Sequence, residues 1–189
     1  MNERDWVKSI INDIETRIRK TNDLFRVTDS SKLPYSFEIT SYKESEPFET
    51  DKSVYETDIL ISELLENGTW KPRVIIEAKI NSVTTHDAIT YSQKAQAHKN
   101  VHPYLRYGIL IGNREHHPLP GRLFRHGQHF DFMNSWKGFK ADENEIEILI
   151  KIILEEINAS KTLDEIIYNS RSSKREKFTV LHKPLKLNY

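Results

Sequence analysis

The stretch "RVIIEAKI" at residues 73–80 predicts a buried β-strand with ionisable side chains on one face. Side chains alternate between the two faces of a strand. One face is apolar throughout and consists of Val74, Ile76, Ala78 and Ile80. The other face carries Ile75, Glu77 and Lys79. Because an isolated ion in an apolar sheet costs on the order of several kcal/mol, Glu77 and Lys79 indicate a functional pocket.

The sequence before this strand predicts one helix and two antiparallel strands. Apolar periodicity gives a helix over 3–20, strands over 35–42 and 54–64, and polar loops over 28–34 and 43–52. Residues 66–72 contain an Asn-Gly pair and a proline, which predict a turn into strand 73–80. Asp58 is therefore expected on the adjacent strand, at a depth similar to that of Glu77.

The sequence after the strand predicts a crossover unit. We expect a helix over 84–99 and a buried strand over 104–113. A helix between two strands makes them parallel neighbours. Farther along, we expect a strand over 122–133, a helix over 142–160 and a short helix over 162–169. The predicted fold is α/β, with a central mixed sheet flanked by helices and with C-terminal helices.

Composition limits the class of protein. The chain has 189 residues, which suits a single domain, expected over 1–170, with a basic C-terminal tail over 171–189. The formal net charge is zero, so attraction to nucleic acid has to come from local patches. Cysteine is absent, which excludes disulfides and thiolate metal sites. We find no signal-peptide pattern and no apolar run of membrane-spanning length, and we expect a cytoplasmic protein without membrane contact.

Asp58, Glu77 and Lys79 are expected to converge in one pocket. Two carboxylates about one sheet spacing apart can share a hard cation such as Mg²⁺, and the carbonyl of Ala78 can add a third oxygen. Lys79 would lie near a metal-bound water, where it can help to deprotonate that water or stabilise charge on a phosphate. These groups are the ones that phosphodiester hydrolysis requires.

The pattern of Asp58, 18 intervening residues and then Glu77-Ala78-Lys79 resembles the signature of the PD-(D/E)XK nuclease superfamily. One departure is Thr57, which stands where many members have proline. The resemblance implies a restriction-endonuclease-like α-β-β-β-α-β core and a Mg²⁺-dependent endonuclease, with Mn²⁺ as a substitute metal and no nucleotide cofactor. It also implies double-stranded DNA as substrate, as for type II restriction enzymes, and a homodimer, whose contact surface we expect at the C-terminal helices.

The same resemblance suggests two further site residues. Many members carry a glutamate on the first helix, which Glu15 matches better than Glu3. Some members have a polar residue on the helix after the E-x-K motif. Gln93 is the best match there, with Lys94 and Gln96 nearby.

Several alternatives remain open from the sequence. Asp58, Glu77 and Lys79 can be a cross-strand salt-bridge set on a solvated sheet face. A structure-specific or repair nuclease, such as a Holliday-junction resolvase, and a non-catalytic nucleic-acid-binding module with the same fold are the other functional hypotheses. Zinc binding by His116, His117, His126 and His129 is disfavoured, because adjacent histidines rarely reach one ion and strand residues three apart face opposite sides.

Overall fold

The computed structural model of the chain describes residues 1–114, 116, 118–169 and 180–187. Within these residues the elements follow as α1 (Glu3–Arg19), β1 (Phe25–Lys43), β2 (Glu46–Leu64), β3 (Trp70–Ile80), α2 (Thr85–Val101), β4 (Arg106–Gly112), α3 (Gly121–His126), β5 (Phe132–Ser135) and α4 (Glu143–Asn169). The α/β fold and the predicted α-β-β-β-α-β order are thus confirmed. Among the described residues, no helix has the length and apolarity that crossing a bilayer requires.

The five described strands form one mixed sheet in the order β1-β2-β3-β4-β5. The pairs β1–β2 and β2–β3 are antiparallel, whereas β3–β4 and β4–β5 are parallel. Helix α2 connects β3 to β4 and begins with a capping box in which Thr84 and Asp87 bond to each other's backbone N–H. The crossover predicted from the sequence is therefore confirmed, and it places β3 in the centre of the sheet.

Helices cover both faces of the sheet, and β3 contributes to both cores. Its side chains Val74, Ile76 and Ala78 pack with α1 and α4 on one face. Ile75 packs with residues of α2, α3 and β4 on the other face. The alternation predicted for residues 73–80 is confirmed, so Glu77 and Lys79 lie on the α2 side of the sheet.

A buried ion network fixes the start of β3 against α4. Arg73 is 4% exposed, and its guanidinium pairs with Glu63 at 2.7 Å and with Asp164 at 3.0 Å. Lys161 and Lys71 complete the network, at 2.7 Å from Glu63 and Asp164 respectively. Burial opposes ionisation of both carboxyls, but these cations hold the pKa values of Glu63 and Asp164 below their usual range. The network keeps both acids ionised and tethers the last turns of α4 to the sheet.

Two expected loops are wrong, because residues 28–34 and 43–52 lie largely within the long strands β1 and β2. The two strands pair with each other along 19 residues each, and the connection is a tight turn at Glu44 and Ser45. Residue composition suggested loops there because these segments are polar. Pairing across the hairpin satisfies the backbone and determines the structure instead.

The expectations for the C-terminal half also need correction. Residues 122–133, expected to be a strand, form α3 and then the start of β5. The two C-terminal helices expected over 142–160 and 162–169 are one continuous helix, α4, because no glycine or proline interrupts it. Of the predicted basic tail, residues 171–179 and 188–189 lie outside the described part of the chain, and residues 180–187 are exposed without regular structure.

Candidate functional site

The ladder between β2 and β3 ends at the predicted site. Its last backbone pair on this side is Ile59 with Ile76. One residue beyond, the Asp58 carboxylate accepts a hydrogen bond of 2.8 Å from the Ala78 backbone N–H. The carbonyl of a strand residue points to the same side as its N–H, so the Ala78 carbonyl faces the side of Asp58. The strands therefore separate here and leave backbone and carboxylate oxygens together.

Glu77 lies buried in the protein, level with Asp58 on the neighbouring strand. Its residue is 3% exposed, and it accepts a hydrogen bond of 2.7 Å from the Tyr107 hydroxyl. Lys94 of α2 places its Nζ 3.2 Å from both carboxylate oxygens of Glu77. Lys94 also donates to the backbone carbonyl of Glu56 at 3.1 Å. The Glu77 carboxylate is thus fixed in position by a tyrosine and neutralised by a lysine.

Lys79 lies at the outer end of the same strand face. Its Nζ donates to both carboxylate oxygens of Glu3 at 3.2 Å and lies 4.7 Å from the centre of the Tyr91 ring. Its side chain is mostly buried, whereas that of Glu3 is partly exposed. The ammonium is therefore held at the rim of the pocket, between the start of α1 and the first half of α2.

The pKa shifts at these residues follow from burial and charge. Burial raises the pKa of Asp58, which the Ala78 N–H and Lys94 only partly offset. Burial and the nearby Asp58 charge raise the pKa of Glu77. Burial works against the charge of Lys79, but Tyr91 and Glu3 outweigh it and raise the Lys79 pKa above its ordinary value. Two acids that resist ionisation in one pocket are typical of functional sites.

Other sequences offer no guide to this site. The chain matches no family model. It also matches no curated protein sequence. Its function has to be argued from the geometry of the site.

The structure brings Asp58, Glu77 and Ala78 together, and Lys79 lies near enough to act electrostatically on Asp58. A wholly solvated sheet face is not what the structure shows, because Glu77 and Lys79 are largely buried and each pairs with a helix residue rather than with the other. The ion pairs come from α1 and α2, which the sequence pattern of the strands did not reveal.

Two predicted site residues lie elsewhere. Glu15 is twelve residues from Glu3, about 18 Å along α1, and borders a surface groove with Arg19 and Asp23. Glu3 is the α1 residue that reaches Lys79. Gln93 is exposed, whereas the next residue, Lys94, points into the pocket. Consecutive residues are about 100° apart around a helix axis. The predicted helix is therefore correct, but Lys94 and not Gln93 lies on the face toward the site.

Tyr107 and Tyr91 are site residues that the sequence analysis missed. Tyr107 lies in the buried strand β4, and a buried tyrosine hydroxyl usually has a hydrogen-bond partner. This need for a partner was the only signal in the sequence, and it does not identify Glu77 as the acceptor. Burial raises the pKa of Tyr107 well above its usual range, with help from the Glu77 and Asp58 charges, so the hydroxyl stays a donor.

The oxygen donors suit a hard cation with few protein ligands. Among the described residues, no group of three or more His, Asp or Glu side chains could hold a metal ion, which leaves zinc without support there; His117 lies outside them. Mg²⁺ differs, because it keeps several waters and is held by one or two carboxylates. Asp58, Glu77 and the Ala78 carbonyl are the oxygens that could hold such an ion, with Lys94 as a competing cation.

Proposed function

We propose that the protein is a Mg²⁺-dependent endonuclease that hydrolyses phosphodiester bonds in double-stranded DNA. The observation that carries the proposal is the convergence of Asp58 and Glu77 where the pairing of β2 with β3 ends, with Lys79 farther along the same strand face as Glu77. Burying two acids beside an ammonium costs desolvation free energy, so the arrangement does not serve stability alone. A bound cation and a phosphate would interact favourably with these charges.

Asp58, Glu77 and the Ala78 carbonyl would hold the metal. Bound there, the metal would polarise the scissile phosphate and lower the pKa of a water. Tyr107 orients the Glu77 carboxylate through its hydroxyl. Water gives up one proton to solvent as its oxygen bonds to phosphorus, the phosphorus–oxygen ester bond breaks, and the departing oxygen takes a proton.

Lys79 is better suited to stabilising charge than to accepting a proton. Its raised pKa keeps it an ammonium at neutral pH, whereas a general base has to be unprotonated. An ammonium at the rim can contact a phosphate oxygen as charge develops in the transition state. Glu3 holds that ammonium in place from α1.

Cations on the same side of the sheet give a surface for the DNA backbone. Helix α3 lies beside α2 and exposes Arg122 and Arg125. Arg106 and Arg114 are less available, because Arg106 pairs with Asp131 and Glu156, and Arg114 is buried. Phosphate contacts through Arg122 and Arg125 would position DNA without reading its sequence. Cleavage at a specific sequence, as by a type II restriction enzyme, is part of the proposal.

The test is DNA cleavage by the purified protein. Plasmid, phage and branched DNA are incubated with Mg²⁺ or Mn²⁺, and Lys79→Ala and Asp58→Ala are compared with the wild type and with Glu15→Gln. We expect discrete fragments from the wild type and Glu15→Gln, and a loss of about a hundredfold or more in both site variants. Cleavage of branched DNA alone would indicate a resolvase. Equal behaviour of the wild type and the site variants on every substrate would refute the proposal.

A further inference from the structure

The two lysines of the site are poorly placed to give a proton to the departing oxygen. The Nζ of Lys94 contacts three acceptors, which are both Glu77 oxygens at 3.2 Å and the Glu56 carbonyl at 3.1 Å. An ammonium has three N–H groups, so all of them are engaged. Lys79 donates to both oxygens of Glu3, which leaves one N–H for a phosphate oxygen. The proton has to come from another group.

Tyr91 carries a hydroxyl beside both lysines. It lies on α2 three residues before Lys94, and therefore on the same side of the helix. Its ring centre is 4.7 Å from the Nζ of Lys79 and 5.9 Å from the Nζ of Lys94. The residue is partly buried, and its ring packs against the core on this face of the sheet. A phosphate in contact with Lys79 would therefore lie beside Tyr91.

The proton of the Tyr91 hydroxyl is not committed to a protein acceptor. Tyr107 differs, because its hydroxyl donates to Glu77 at 2.7 Å. No residue that the structure describes accepts a hydrogen bond from Tyr91, and its oxygen is not among the buried polar atoms found there without a partner. The Tyr91 hydroxyl therefore meets solvent in the unliganded pocket.

The charges around Tyr91 suit a hydroxyl that loses and regains a proton. Burial raises the pKa of Tyr91, and the charges of Glu77 and Glu3 act in the same direction, so the hydroxyl is protonated before the reaction. The ammonium groups of Lys79 and Lys94 would stabilise the phenolate that forms when the proton leaves. An alkoxide is far more basic than a phenolate, so the transfer is favourable.

We propose that Tyr91 is the catalytic residue that protonates the departing oxygen. The inference rests on the proposed nuclease function and adds a general acid to it. As the phosphorus–oxygen ester bond breaks, its electron pair moves to the departing oxygen, which takes the Tyr91 hydroxyl proton and becomes an alcohol. The phenolate then takes one proton from solvent, which balances the proton that the attacking water released.

Two substrates that differ in the departing atom test the proposal. A DNA duplex that the wild type cleaves is compared with the same duplex in which sulfur replaces the departing bridging oxygen. Sulfur departs as a thiolate without a proton, because thiols are much more acidic than alcohols. We expect Tyr91→Phe to lower kcat about a hundredfold or more on the oxygen substrate and to stay close to the wild type on the sulfur substrate. Equal slowing on both substrates would indicate a positioning role and would overturn the proposal.

Tyr104→Phe is the matched control. Tyr104 also lies beside two cations, with the Nζ of Lys71 at 5.7 Å and the Arg73 guanidinium at 5.6 Å from its ring centre. These cations belong to the buried ion network at the start of β3 rather than to the site. We expect the kcat of Tyr104→Phe to match that of the wild type on both substrates. A loss confined to the oxygen substrate in this variant as well would contradict a specific role of Tyr91.

DNA binding without metal provides a readout that does not depend on cleavage. Fluorescence anisotropy of a labelled duplex should give the same Kd for the wild type and Tyr91→Phe, and markedly weaker binding by the variant would show a binding role instead. A wild type that cleaves no DNA would refute the nuclease function and this inference with it. A wild type that cleaves the oxygen substrate no faster than Tyr91→Phe would refute the inference alone.

Discussion

The Nζ of Lys94 lies 3.2 Å from both carboxylate oxygens of Glu77, so a helix side chain supplies positive charge to the acid proposed to bind metal. The same lysine acts electrostatically on Asp58 and makes its carboxylate easier to form. A divalent cation between the two acids would have to enter against this charge. We therefore expect Lys94 to weaken metal binding in the absence of DNA.

Replacing Lys94 should strengthen that binding. We expect Lys94→Met to bind Mn²⁺ without DNA roughly tenfold more tightly, because a cation is removed from beside both ligands. The measurement is titration calorimetry of Mn²⁺ into both proteins without DNA, repeated at increasing pH because burial raises the pKa of Glu77. Lys151→Met removes an exposed lysine from α4, on the opposite face of the sheet, and should not change the affinity. Unchanged or weaker binding by Lys94→Met would contradict this role.

Glu3 and Glu15 offer a matched pair on one helix. Glu3 bonds to Lys79 through both oxygens, whereas Glu15 lies about 18 Å away along α1. We expect Glu3→Gln to lower kcat for DNA cleavage about tenfold with little change in KM, because Lys79 loses the partner that positions it.

The control, Glu15→Gln, should retain wild-type kinetics. Thermal unfolding of both variants checks that neither has lost its fold. If Glu15→Gln had the larger effect on kcat, Glu3 would not be the positioning residue, and the assignment made from the sequence would stand instead.

The sequence predicted the parts of the fold that pack on both sides. Strand 73–80 is apolar on one face and charged on the other, and this period of two survives in β3 because the sheet is covered on both faces. The two-stranded ribbon over residues 36–54 was predicted only in part, as strand 35–42, for the opposite reason. Its residues pair only with each other, so the polar segment 43–52 reads as a loop although it belongs largely to two strands.

The site was likewise predictable where it depends on the pattern within one strand, and not where it depends on packing between elements. Asp58, Glu77 and Lys79 follow from strand alternation, which has only two possible faces. The rotation of α2 about its axis decides that Lys94, and not Gln93, faces the site. The register of β4 decides that the Tyr107 hydroxyl reaches Glu77. Both are set by packing between elements, which residue patterns within one element do not contain.

Asp58 should cost stability in the absence of metal. Burial raises its pKa, so its ionised form is less favourable in the folded state than in the unfolded state. The stabilising contribution of a raised pKa is present at acid pH and is lost as pH rises through the folded-state value. At neutral pH, Asp58→Asn should therefore raise the free energy of unfolding, and its side-chain oxygen can still accept the Ala78 N–H.

We expect a gain of roughly 0.5–2 kcal/mol, the range of single stabilising substitutions, measured by urea denaturation without metal. Asp51→Asn removes the same charge from an exposed position in β2 and should change stability by less than about 0.5 kcal/mol. A destabilised Asp58→Asn would mean that the ionised carboxylate is a structural requirement rather than a functional one.

Metal binding should depend on pH through Asp58 and Glu77. Both pKa values are raised, mainly by burial, so protons compete with the metal for the carboxylates. Affinity for Mn²⁺ should rise with pH through these raised values and become level above them. Lys79 should release no proton in this range, because its pKa is raised and it stays an ammonium. Calorimetry in buffers of different ionisation enthalpy would measure proton release, which we expect to be smaller in Asp58→Asn and unchanged in Glu15→Gln. Affinity that does not vary from acid to neutral pH would show that the two buried acids are not the ligands.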